Sequence, residues 1–230
     1  MRRRCKDRRC PFADVIQCQR AYILAERGLM ADARTVVRAA AETAFVLAAL
    51  ARDAAVLDLL ELSHYYARRK LYGVWLRDSA ARDIMKPEEI AALKQNIADI
   101  DRDYPTVKDM GGDPLKIANM AGQAGLISIY NAVYRATSGD AAHTSMTALE
   151  RHIRADAAGN IQSMTVGPEV GDLTDTISAA ITVLSLVIEA STKLFAVQKF
   201  TNDLRECMAK WQALGLPHKF KPAARSQAGG

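Results

Sequence analysis

Apolar residues recur at spacings of three and four along most of this 230-residue chain, the periodicity of amphipathic helices. Val15, Ile16, Tyr22 and Ile23 follow Pro11 and run until Gly28, which predicts a first helix that Gly28 stops. A second, about 31–52, carries Val36, Val37, Ala40, Ala41, Ala44, Phe45, Leu47 and Ala48 with no glycine or proline. A third, about 54–77, places Leu57, Leu60, His64, Ala67, Leu71 and Val74 on one continuous face. Lys86-Pro87-Glu88-Glu89 opens a fourth that runs to about Asp101, and Tyr104-Pro105 ends it.

Beyond a loop at 105–113, Pro114 restarts helix towards Gln123. Leu126 to Thr137 reads as another helix, broken by Ser138-Gly139-Asp140, and Thr144-Ser145 caps a short one through about 151. The period then changes from helical to alternating. Ile153 and Ala155, then Ile161, Ser163 and Thr165, flank Ala157-Ala158-Gly159-Asn160, which predicts a small β-hairpin near 151–166. From about Asp172 to Leu214 the pattern is one long helix or two abutting ones. The expected fold is all-α: a bundle of about seven helices with a hairpin insertion. The expected organisation is a basic N-terminal arm (1–10), a single helical domain (11–215) and a flexible basic tail (216–230).

Charge sharpens this picture by its position. Residues 1–20 hold seven basic and two acidic side chains, whereas 21–215 hold 21 basic and 24 acidic. The excess of +5 therefore belongs to the two ends, and such arms suit phosphate backbones or anionic membrane surfaces, or are inert. The opening residues are too polar for a secretory signal. The longest charge-free apolar stretch, between Asp175 and Glu189, is shorter than the roughly 20 residues of a membrane span, so a buried core helix and a cytoplasmic protein away from membranes are expected. Cys5, Cys10 and Cys18 have no common zinc spacing, and neither a metal nor another cofactor is expected.

Three groups of residues could carry chemistry. Arg34, Arg38 and Glu42 line one stripe of the second helix, either pairing with one another or lining a polar pocket. In the third, Tyr65, Tyr66, Arg68, Arg69, Lys70 and Tyr72 interleave base and ring, a composition that serves a solvated face or a single nucleic-acid strand, while His64 reads as a core histidine. The third group runs from Tyr130 to Ser145. Asn131, Arg135 and Ser138 share a helical face, and the chain turns through Gly139-Asp140 to deliver His143 ahead of the next capped helix. A neutral imidazole beside a guanidinium can cleave RNA without metal, the base taking the 2′-OH proton and the cation holding charge on the phosphate. The same His143 could instead anchor the turn through a backbone carbonyl.

The Arg38-Ala-Ala-Ala-Glu42 stripe, the run Tyr130, Tyr134, Ser138, His143, and the hairpin with Gly159-Asn160 together resemble a bacterial all-α family known as a domain of unknown function. The resemblance covers about 30–215, and that family is in turn similar to HEPN domains, helical bundles that commonly dimerise. Many HEPN proteins are toxin or antiviral RNases built on Arg-x(4–6)-His; here seven residues separate Arg135 from His143. The resemblance implies a metal-independent endoribonuclease or toxin of a bacterial defence or stress system. His143 would be general base and Arg135 would stabilise the transition state. Ser138 and Tyr134 would position the phosphate, with Tyr130 and Asn131 beside them and Arg38 and Glu42 behind. A homodimer, an RNA substrate and a cognate antitoxin or other defence partner are implied with it. Two other readings stand: a helical scaffold or partner-binding protein, and a nucleic-acid-binding module that does not cleave.

Overall fold

The computed structural model describes residues 10–141, 152–164, 167–168 and 171–195, with single positions at 202, 206, 209, 210 and 213. The described residues are mostly helical. They form α1 (Cys10–Glu26), α2 (Met30–Leu50), α3 (Val56–Arg77), α4 (Ser79–Ile84), α5 (Pro87–Asp103), a 3-10 turn (Pro105–Asp109) and α6 (Ile117–Gln123). A continuous helix over 127–141, here α7, follows, and after the hairpin comes α8 (Leu173–Phe195). The strands β1 (Ile153–Ala155) and β2 (Ile161–Met164) pair antiparallel, Ile153 opposite Met164 and Arg154 opposite Ser163. Asp156 folds their turn by accepting from the backbone N–H groups of Ala158 and Asn160, and Gly159 supplies the positive φ of 86°.

Contacts divide the chain into two compact units, Asp53–Met120 and the remainder. In the remainder, α2 packs against α1, α8 and α7, and α1 also packs against α8. The reason lies in side-chain size. Ala33, Ala40, Ala41 and Ala44 on α2 and Ala21 and Ala25 on α1 are buried, as are Ala179, Ala180, Val183 and Val187 on α8. Small residues let the helix backbones approach closely, and Val37 and Phe45 fill the space that is left. By length and apolar composition α8 could cross a membrane; here its small-residue face packs against α1 and α2.

In the Asp53–Met120 unit, α3 packs on α5 and the 3-10 turn. Arg69 grips Asp101 through two parallel hydrogen bonds of 2.6 and 3.1 Å, and the ring of Tyr65 stacks on Tyr104 at 3.9 Å. The Tyr104 hydroxyl donates to Glu61 Oε1 at 2.5 Å, which together with Tyr65 holds that phenol protonated above the usual tyrosine range. Ser63 donates to Asp113, whose same oxygen also accepts from Leu115 N–H.

Several elements differ from those the sequence predicts. Helix restarts at Ile117 rather than at Pro114, because Asp113 holds the intervening residues in a capped loop. The expected loop at 105–113 contains the 3-10 turn Pro105–Asp109. Ser138-Gly139 does not break α7, which continues to Ala141; the Ser138 hydroxyl bonds the backbone of its own helix and leaves the helical ladder intact. An unforeseen short helix, α4, starts where the Asp78 side chain accepts from Ala81 N–H. The apolar face of α3 points to solvent, His64 included, since α5 takes the opposite face. The predicted helix at 144–151 and the N-terminal arm up to residue 9 lie outside the described residues, as do most of the positions after Phe195.

Candidate functional site

The candidate residues before Gly139 gather where α2 meets α7. Between Tyr130 and Tyr134 this helix widens into a π-turn, in which Arg135 N–H bonds Tyr130 C=O five residues back. Such turns are rare and concentrate at functional positions. The widening stacks Tyr130 on Tyr134 at 5.0 Å, and both rings pack on Phe45 of α2, at 6.0 and 6.4 Å. Val133 and Thr137 are buried on the same side, Thr137 Oγ1 donating to Val133 C=O at 2.8 Å.

Arg38 and Glu42 of α2 both meet the Tyr134 hydroxyl. Arg38 Nη2 donates to the phenol oxygen at 3.2 Å, the phenol donates to Glu42 Oε1 at 3.0 Å, and Arg38 Nε stands 3.5 Å from the same carboxylate. The Arg38 guanidinium also lies over the tyrosine ring, 5.0 Å from its centroid. Burial raises the Tyr134 pKa; the Arg38 hydrogen bond opposes the rise and Glu42 adds to it. A phenol so placed stays neutral at physiological pH and acts as a connector, passing a hydrogen bond from cation to anion.

One turn earlier on α2, Arg34 makes a second link. Its Nη2 donates to Ala136 C=O on α7 and its Nη1 to Asp172 just before α8, both at 2.8 Å. Arg34 was legible as part of a charged stripe, but Asp172 was missed. It lies 138 residues away, and no local pattern marks it. Phe45, the platform for both tyrosines, reads in the sequence only as one more apolar position.

Two of the remaining candidates face outward. Asn131 and Arg135 are exposed. Ser138 is half-buried and donates to Tyr134 C=O at 2.6 Å, so its single proton is committed and it offers lone pairs only. His143 lies outside the described residues. The structure thus brings Arg38, Glu42, Tyr134, Tyr130 and Ser138 together and sets Arg135 and Asn131 on the adjoining surface. Of the interleaved residues on α3, Arg69 is held by Asp101, Tyr65 by Tyr104, and Arg68 by the Tyr72 hydroxyl.

Residues 16–161 match a family described as a family of unknown function, DUF5677. No curated protein and no solved structure matches the chain.

Proposed function

The chain belongs to this family of unknown function, and from that premise we propose that it is a HEPN-like, metal-independent endoribonuclease acting as a toxin in a bacterial defence or stress system. The observation that supports the reading is the contrast among three guanidiniums along one surface. Arg34 is held by Asp172 and Arg38 by Glu42 and Tyr134. Arg135 is exposed and makes no ion pair among the described residues. A planar cation presented to solvent can take two phosphate oxygens at once.

In this reading the neutral imidazole of His143 removes the 2′-OH proton, and the 2′-oxygen attacks the adjacent phosphorus. Arg135 neutralises charge growing on the non-bridging oxygens. The 5′-oxygen leaves and takes a proton from solvent, giving a 2′,3′-cyclic phosphate and a 5′-hydroxyl. Arg38, Glu42 and Tyr134 brace the π-turn from which Arg135 projects, and Ser138 fastens the turn after it. A cognate antitoxin would silence the activity by covering Arg135.

Single-stranded RNA incubated with the purified chain in EDTA should yield cyclic-phosphate ends. His143→Ala should abolish them, and Arg135→Ala should slow their formation by about 10²–10³-fold, the usual loss for one oxyanion donor. Absence of such ends with the unaltered chain, or equal cleavage by both variants, overturns the reading.

A further inference from the structure

One stripe of apolar residues on α3 is left mostly open, with Leu60 half-buried and the others exposed. Leu57, Leu60, His64, Ala67, Leu71 and Val74 follow one another at alternating steps of three and four, the a/d spacing of a coiled-coil seam. Their 18 positions cover about 27 Å of helix. Leu57 is 49% exposed, Leu71 44%, Val74 45% and the flanking Trp75 41%. The opposite side of α3 is the one in use, through Arg69 to Asp101 and Tyr65 to Tyr104. A helix that packs one side and keeps a regular aliphatic seam on the other is built to receive a second helix.

The charges choose the occupant. Asp58 and Glu61 lie in the first half of α3, and Arg68, Lys70 and Arg77 in the second. Two copies aligned parallel would set acid against acid and base against base, whereas antiparallel alignment sets the acidic half of each against the basic half of the other. A two-fold axis passing between His64 and Ala67 matches every seam position. Leu57 of one copy meets Val74 of the other, Leu60 meets Leu71, and His64 meets Ala67. In the same register Glu61 of each copy comes opposite Arg68 of the other. We propose that α3 pairs antiparallel with α3 of a second copy of this chain, through this self-complementary seam. The proposal stands apart from the cleavage reading, whose residues lie outside the Asp53–Met120 unit.

The test is the mass of the full-length chain by sedimentation equilibrium, with circular dichroism to confirm that each variant folds. The unaltered chain is expected to be a dimer. Leu71→Glu alters a side chain that is open to solvent in the single chain and contributes twice to the seam. It should weaken association by about a hundredfold. Glu61→Arg and Arg68→Glu should each weaken it, and the combined E61R/R68E chain should associate more tightly than either. A monomeric chain, a dimer indifferent to Leu71→Glu, or a combined swap no better than the single ones overturns the proposal. So does a monomer that holds a single-stranded RNA oligonucleotide through Leu71 and Trp75.

Discussion

Arg38 meets Tyr134 twice: its Nη2 donates to the phenol oxygen at 3.2 Å, and its guanidinium carbon lies 5.0 Å from the ring centroid. The same phenol donates onward to Glu42. One aromatic side chain from the π-turn therefore joins a cation and an anion that are one turn apart on α2. Tyr134→Phe keeps the ring stacking and removes the connector. It should cost about 1.5–3 kcal/mol, the range for a hydrogen bond to a charged partner, read as a lower urea midpoint with unchanged slope. An unshifted midpoint would mean that Arg38 and Glu42 pair equally well without the hydroxyl.

Phe45 is fully buried beneath Tyr130 and Tyr134. Replacing it with alanine opens a cavity under both rings and should cost about 3–5 kcal/mol. Near-ultraviolet circular dichroism should lose tyrosine signal before the helical signal falls. Retention of both signals at ordinary temperature and urea concentrations would contradict the role of Phe45 as platform.

Arg69 holds the Asp101 carboxyl below its ordinary value. The folded pKa lies under the unfolded one, so this pair contributes stability that is whole above about pH 4. That contribution is lost as pH falls through the folded value. Asp101→Asn should flatten the acid limb of stability and lower the plateau at neutral pH. Urea titrations between pH 2 and 7, followed by Trp75 fluorescence in a Trp211→Phe background, would read both. A parallel acid limb in the two chains would exclude the pair as its source.

Gly125 ends α6 with φ of +69°, and a Cβ there would come within 3.0 Å of Arg52 Nη1. That guanidinium is itself bonded to Gln123 C=O at 3.2 Å. Gly125→Ala should cost about 1–2 kcal/mol from the left-handed backbone alone, measurable as a drop in Tm. Gly111→Ala, where nothing lies within 4 Å, is the matched comparison and should be near neutral.

The helices were legible because their apolar spacing is regular, and the hairpin because Ala157-Ala158-Gly159-Asn160 interrupts two alternating runs. Periodicity identifies a face; it does not say what the face meets. On α2 the apolar face turned inward, as expected, because alanines make it narrow enough to be covered from three sides. On α3 an equally regular face turned outward, and His64 with it, because Arg69 and Tyr65 supply stronger contacts behind. The candidate site was legible as a set of residues, since Arg38, Glu42 and Tyr134 do come together. Its wiring was not. The link from Arg34 to Asp172 spans most of the chain, and nothing in Tyr130–Tyr134 marks a π-turn by residue type.

That π-turn is one residue of surplus length in a helix that otherwise has none. Removing a single residue from it, Ala132 for example, would let an uninterrupted α-helix form without shortening any loop. The widened turn absorbs the extra residue, so the side chains after the deletion would keep their places around the axis, whereas a deletion from a regular turn would swing them by about 100°. Tyr134 would stay with Arg38 and Glu42, and Arg135 would stay on the exposed side. A deletion of three atoms' worth of backbone thus removes the bulge and leaves the inner and outer faces of the helix where they were. Within α7 the π-turn is therefore where a residue can be lost without exchanging the two faces of the helix.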